Sequence, residues 1–391
     1  MKKNMLGAFL MVASLFFLWG FAHSILDVLN KHFQDVLVVS KARSALVQAM
    51  VYGGYFLMAL PAGMINRRWG YKRGLVTGLA LYSLGAMMFI PGALWLEGSF
   101  AFFLLCLFVI GCGLTCLETS ANPYITVLGK PGGAARRLNL AQSLNGLGWI
   151  IGPAIGGWVI LGHGSIAIPY AVLGSITMAM AFVFSRIRLP EVGLAEAGKQ
   201  TKEAMSLRNI PSYTWGIVAL FFYVGAQTGI NSFFINYVLE SFPGLSPTVA
   251  ANMLAFGGMG LFFLGRLLGT WLLGYIRPSR LMVGFSLLAT LCMTLVVAEL
   301  GLVSVGAICL TYLFESIMFP TIFTMALSEV DTNKASTAGS YLIMSIVGGA
   351  ITPILMGLIG EGSMAVGFMV PLFCFVIIAV YCLWYAAKIE R

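Results

Sequence analysis

Twelve apolar runs, each about 20 residues or longer, dominate this 391-residue chain and dictate what it can fold into. A run of that length crosses the hydrocarbon core of a bilayer as a helix, whereas a barrel strand needs only about 10 residues of alternating character. Helices are therefore the spanning element. The runs cover approximately residues 6–31, 44–66, 73–95, 99–128, 138–161, 166–187, 212–239, 249–275, 279–300, 302–328, 335–359 and 364–387, here called spans 1 to 12. With 59% hydrophobic and only 9% charged residues, and a mean hydropathy of +0.93, a water-soluble globule is excluded. The fold class is an all-α membrane protein.

The formal charge of +9 has a topological cause and does not point to a nucleic-acid partner. Lys2 and Lys3, Arg67 to Arg73, Lys130 to Arg137, Arg186 to Arg208, Arg277 and Arg280, Lys334, and Lys388 with Arg391 all fall on one side of the spans. The opposite connections carry mainly Glu97, His163, Glu240, Glu299 and Glu361, with Lys31, Lys41 and Arg43 as the exception. Positive-inside topology then puts both termini in the cytoplasm of a bacterial inner membrane. The first run is too long for a signal-peptide core and is read as a retained span. All seven cysteines lie within apolar runs, so no disulfide, metal or cofactor is expected.

One connection is long, residues 189–211, and it divides the chain into six spans (1–188) and six spans (212–391). The halves repeat each other at an offset of roughly 200 residues. Phe16-Phe17 with Gly20 matches Phe221-Phe222 with Gly225, and Tyr52-Gly53-Gly54 matches Phe256-Gly257-Gly258. Glu118-Thr-Ser-Ala-Asn122-Pro123 matches Glu315-Ser-Ile-Met-Phe319-Pro320, and Pro153 matches Pro353. Four collinear matches point to two bundles descended from one unit. Parallel six-helix repeats around a midplane site are the architecture of the major facilitator superfamily. The loop Gly63-Met-Ile-Asn-Arg67-Arg68-Trp-Gly70-Tyr-Lys72-Arg73 resembles that superfamily's glycine and basic motif, with Arg67 where an acid is usual.

Three acids, Asp27, Glu118 and Glu315, lie inside apolar spans. An ionised carboxylate there costs about 3 kcal/mol or more unless it meets a partner or water, which makes each a functional candidate. Helical spacing adds polar stripes. Glu118 and Asn122 share a face, as do Gln142, Asn145 and Trp149, and Gln227 and Asn231. Amide and carboxylate groups beside an aromatic plate are what a sugar's hydroxyls and C–H face require. Pro123 also deprives the carbonyl of Thr119 of its helical donor. Each candidate has a structural alternative: Gln142 and Gln227 can join helices, His23 can bond a neighbouring helix, Arg266 can anchor a gate or loop, and Glu315 can be a buried acid paired across helices.

The chain resembles the fucose, galactose and glucose:cation symporter family over nearly its whole length. The resemblance rests on Cys116-Leu-Glu118-Thr-Ser-Ala-Asn122-Pro123 with Thr126-Val-Leu-Gly129, on Arg137-Leu-Asn139-Leu-Ala-Gln142, and on Tyr223-Val-Gly-Ala-Gln227-Thr228. Gly265-Arg266 with Gly269-Thr-Trp271, and Pro320-Thr-Ile-Phe323, add to it. It implies a cation-coupled monosaccharide importer in which Asp27 takes part in coupling, Glu118 and Asn122 line the sugar cavity, and Gln142 contributes from span 5. His23 and Ser24 stand where the pattern has asparagines, Phe319 stands where it has tyrosine, and Glu315 has no acidic counterpart.

The expected function is therefore symport of a hexose into the cell by alternating access, carried out by a functional monomer in the lipid bilayer. Asp27 and Glu118 are the coupling candidates. Substrate-binding candidates are Glu118, Asn122, Gln142, Asn145, Trp149, Gln227, Asn231 and Ser24, with Glu315 and His23 as additional ones. A proton needs a single carboxylate, whereas sodium needs about five or six converging oxygens. Around Asp27 only Ser24 lies one turn away, which favours the proton, but Glu118, Thr119 and Asn122 keep sodium open. A drug or metabolite exporter of the same fold is the rival, opposed by the amide-rich stripes. An intramembrane enzyme lacks parts: only His23, His32 and His163 are present, with no HExxH and no GxSxG.

Overall fold

A computed structural model describes residues 3–36, 38–95, 99–127, 134–161, 167–187, 207, 209–330 and 335–388. Among the described residues twelve helices are long and apolar enough to cross a bilayer. They are α1 (Lys3–Val36), α2 (Lys41–Asn66), α3 (Tyr71–Gly92), α4 (Phe100–Val127), α5 (Ala134–Gly156), α6 (Ala167–Arg186), α7 (Pro211–Ser241), α8 (Pro247–Leu272), α9 (Pro278–Val297), α10 (Leu302–Leu327), α11 (Tyr341–Ile359) and α12 (Met364–Lys388). Among the described residues no strand occurs.

The helix ends differ from the hydropathy limits where polar chemistry extends a helix beyond its apolar run. Helix α1 continues five residues past the expected end, and there Lys31 Nζ donates to Asp35 Oδ1 at 2.7 Å, an i,i+4 pair that supports the extra turn. Helix α2 begins earlier because the Ser40 hydroxyl caps its first turn, accepting from the Arg43 N–H at 3.2 Å. Most of the 189–211 connection lies outside the described residues.

The chain forms two compact units, Met1–Val38 with Met50–Ala197, and Val39–Ala49 with Gly198–Arg391. In the first unit α1 packs on α5, α3 on α4, and α3 on α6. In the second, α7 packs on α11, α9 on α10, and α9 on α12, which is the same pairing shifted by six helices. The seams also repeat. A Cβ added at Gly20 would land on the Asn145 carbonyl, and one at Gly148 on the Phe17 carbonyl, so α1 and α5 touch backbone to backbone. A Cβ at Gly225 would meet Thr352, and one at Gly348 the Phe221 carbonyl, which gives α7 and α11 the same contact. Small residues at these seams allow dispersion packing where lipid removes the hydrophobic drive between helices.

The second unit takes in the start of α2. Lys41 Nζ donates to Glu240 Oε1 at 2.5 Å and to the Gly360 carbonyl at 2.9 Å, and Glu240 Oε2 accepts from the Met364 N–H at 2.7 Å. All seven cysteines are free thiols.

Candidate functional site

Proline shapes both helices that carry a glutamate. Pro123 cannot donate to the Thr119 carbonyl four residues back, and Asn66 Nδ2, at the end of α2, takes that carbonyl at 3.1 Å. The Asn66 oxygen in turn accepts from the Ser120 hydroxyl at 2.8 Å. The second unit repeats the device. Pro320 frees the Ser316 carbonyl, and Arg266 donates to it through Nε and Nη2, each at 3.3 Å. Here the helix breaks outright, with Ser316 and Ile317 between Leu302–Glu315 and Met318–Leu327. The Glu315 carbonyl, also displaced from the ladder, accepts from the Tyr223 hydroxyl at 3.1 Å. Asn66 on α2 and Arg266 on α8 thus cap equivalent carbonyls in the two repeats. Arg266 is therefore a helix-break cap, with its guanidinium 4.7 Å above the Phe262 ring.

In the first unit aromatic and polar side chains gather near Glu118, which is half-buried on α4. Its side-chain neighbour on α2 is the hydroxyl of Tyr55. Trp19 is a further side-chain neighbour of that phenol, and His23 Nε2 lies 3.3 Å from its oxygen. A phenol has one hydrogen and two acceptor positions. It can serve its neighbours in either role, and His23 Nε2 donates to it or accepts from it according to the ring's tautomer. The His23 ring lies 5.7 Å from Tyr52, 5.7 Å from Tyr55 and 5.8 Å from Trp149. The result is an aromatic wall, built from α1, α2 and α5, beside one carboxylate.

Not every candidate faces that wall. Asn145 is buried, and its amide donates to the Phe16 carbonyl at 3.1 Å, so this group fastens α5 to α1. The Ser24 hydroxyl lies 3.1 Å from the Phe21 carbonyl and 3.3 Å from that of Gly148, on the same seam. Asp27, Asn122 and Gln142 sit on helical backbone, and their side chains lie outside the described residues. Tyr52 and Tyr55 were not singled out from sequence, because tyrosines in an apolar helix read as core. Their i,i+3 spacing on the turn of the repeated Tyr52-Gly53-Gly54 motif was the available signal.

In the second unit Gln227 and Asn231 lie one turn apart on α7. Gln227 is half-buried and is the polar neighbour of the Glu315 carboxyl, while Asn231 is buried with no donor on its side-chain oxygen. Tyr223 and Phe319 pack with ring centroids 6.2 Å apart, and Phe319 stacks on Phe323 at 6.3 Å. A separate cavity of about 770 Å³ between α7 and α11 is lined by groups such as Ile217, Phe221, Phe222 and Met344. Its walls are nearly all apolar, which suits a lipid chain and not a polyol. Among the described residues no cluster of histidine, cysteine and acidic groups could hold a metal ion.

Twelve spans in two helix-for-helix equivalent halves, each with a glutamate beside a proline-altered helix, define a carrier of the two-bundle type. The chain belongs to the Major Facilitator Superfamily, whose family model matches residues 5–345. It is 34% identical to the L-fucose-proton symporter of Escherichia coli (strain K12), over 95% of this chain and 92% of that protein. It is likewise 34% identical to the glucose/galactose transporter of Brucella abortus biovar 1 (strain 9-941), over 97% of this chain and 94% of that protein. A crystal structure of a variant of the E. coli fucose:proton symporter superposes with a TM-score of 0.74 at 32% identity, covering 98% of this chain and 99% of that one. Within the superfamily the chain thus falls in the group of fucose and glucose/galactose symporters, as a multi-pass protein of a bacterial inner membrane.

Proposed function

We propose that this protein imports a hexose, namely glucose, galactose or fucose, together with a proton. The observation that carries the reading is the Glu118 carboxylate, next to Tyr55 and beside the aromatic wall of His23, Tyr52 and Trp149. A carboxylate accepts strongly from sugar hydroxyls, and an aromatic face covers the apolar C–H side of the ring. Gln227 and Asn231 provide amides in the second unit, and Asn122 and Gln142 are placed by sequence to add theirs in the first. The relatives named as symporters and sugar transporters support the same substrate class.

Coupling follows from the cost of a charge at membrane depth. Protonation of Asp27, with Glu118 as the second candidate, removes the charge that would oppose closing the loaded carrier, and sugar contacts stabilise the occluded state. The carrier then cycles as a monomer, with residues 1–188 and 212–391 as its moving bundles, residues 189–211 as a cytoplasmic linker, and both termini in the cytoplasm. The sodium alternative would recruit the Thr119 carbonyl beside Glu118, of whose two lone pairs Asn66 takes one. Transport without bond-making chemistry is the reading, since the wall offers a binding surface and no nucleophile–base pair.

The experiment is radiolabelled hexose uptake into vesicles under an imposed pH gradient, with and without sodium. Uptake driven by the pH gradient in sodium-free medium supports the reading, and uptake that needs sodium and ignores a collapsed pH gradient overturns it.

A further inference from the structure

Glu315 is fully buried on α10, at 0% exposure, and neither of its carboxyl oxygens has a hydrogen-bond partner. Among the described residues it is in no ion pair. The groups around it explain why. From α7, Tyr223 spends its hydroxyl on the Glu315 backbone carbonyl, and Gln227 is a neighbour without bonding geometry. From α8, Arg266 directs Nε and Nη2 to the Ser316 carbonyl and stacks on Phe262. From α9, the buried Cys292 has Thr311, a turn earlier on α10, as its side-chain neighbour. The Met318–Leu327 segment brings no ionisable side chain.

A buried carboxylate with two unbonded oxygens at membrane depth is among the costliest groups a protein can hold, and adding a proton removes that charge. Structural acids in membranes avoid the cost by pairing, and this one does not pair. Its place also argues for use. It is the repeat-mate of Glu118, it immediately precedes the break at Ser316 and Ile317, and it lies behind the half-buried Gln227 and Phe319. A break whose carbonyls are held by side chains from α7 and α8 can shift without unwinding a whole helix.

From these observations, and resting on the proton-symport reading above, we propose that Glu315 is a second proton-binding site of the transport cycle, seated in the C-terminal bundle. It holds a proton in the conformation described here and releases it when the break around Ser316 opens its carboxyl to water. The carrier then moves two protons per sugar, one through the N-terminal acids and one through Glu315. The proton is bound and released as such, with no other bond made or broken.

The test is the limiting sugar accumulation in proteoliposomes at a fixed pH gradient, with the proton-to-sugar flux ratio measured in parallel. Each coupled proton multiplies accumulation about tenfold per pH unit, so Glu315→Gln is expected to lower the limit from about 100-fold to about 10-fold and to halve the flux ratio while transport continues. Glu315→Met, apolar and of similar length, is expected to fold and to give the same result. An unchanged flux ratio in these variants, loss of sugar binding, or failure of both variants to fold would each overturn the inference. The first outcome leaves the symport reading intact. A wild-type protein that moves sugar without protons overturns both, so the two failures are distinguishable.

Discussion

His23 Nε2 lies 3.3 Å from the Tyr55 phenol oxygen, and the same phenol neighbours the Glu118 carboxyl, so α1, α2 and α4 meet at a single hydroxyl. Tyr55→Phe keeps the ring and its packing but removes that junction. Losing one hydrogen bond to a charged group costs about 1.5–3 kcal/mol, so hexose affinity should fall by roughly 10-fold or more while the protein stays folded. Titration of the purified variant, with a thermal unfolding curve beside it, checks both halves. Wild-type affinity would detach Tyr55 from the site.

Glu118→Gln and Asn122→Ala should each abolish or strongly weaken hexose binding. Both residues share one face of α4, and the carboxylate is the strongest acceptor on the wall. Detergent-purified variants titrated with hexoses provide the measurement, and wild-type affinity in both would remove α4 from the sugar site.

Asp27→Asn mimics a permanently protonated group. Gradient-driven accumulation should fall well below the wild-type level, to no more than the Glu315 proton alone supports, whereas counterflow exchange, which needs no net proton movement, should largely survive. Concentrative uptake at the wild-type level would move the coupling role to Glu118.

Capping of the two proline-freed carbonyls is open to a stability test. Arg266→Met leaves the Ser316 carbonyl without its donors, and Asn66→Leu does the same to Thr119. Each should destabilise its unit by about 1–3 kcal/mol, visible as a lower unfolding midpoint. Arg266→Lys should recover only part, since an ammonium cannot reproduce the fork of two N–H groups. Unchanged midpoints in both variants would show that water or another group takes over these carbonyls.

The spans, the six-plus-six repeat and the freed Thr119 carbonyl were legible in the sequence, because hydropathy and proline act locally. What takes that carbonyl was not legible. Asn66 lies 53 residues away from Thr119, and Arg266 lies 50 from Ser316, so only packing brings each pair together. By the 204-residue offset of Tyr52 and Phe256, Arg266 aligns with Ala62, one turn before Asn66, so the shared role is visible only in the bonds the two side chains make. Asn145 illustrates the opposite error of inference. Its helical face is shared with Trp149, yet the Gly20 contact draws its amide into the α1 seam, a consequence of backbone approach that periodicity cannot express.

The central claim is that hexose and proton enter together, and the most direct measurement is the external pH of weakly buffered, sodium-free vesicles when sugar is added. Alkalinisation of the medium on addition of glucose, galactose or fucose, absent with a non-substrate sugar and diminished in Asp27→Asn vesicles, is the expected result. No pH change during demonstrable hexose uptake, or a change that appears only after sodium is supplied, would contradict it.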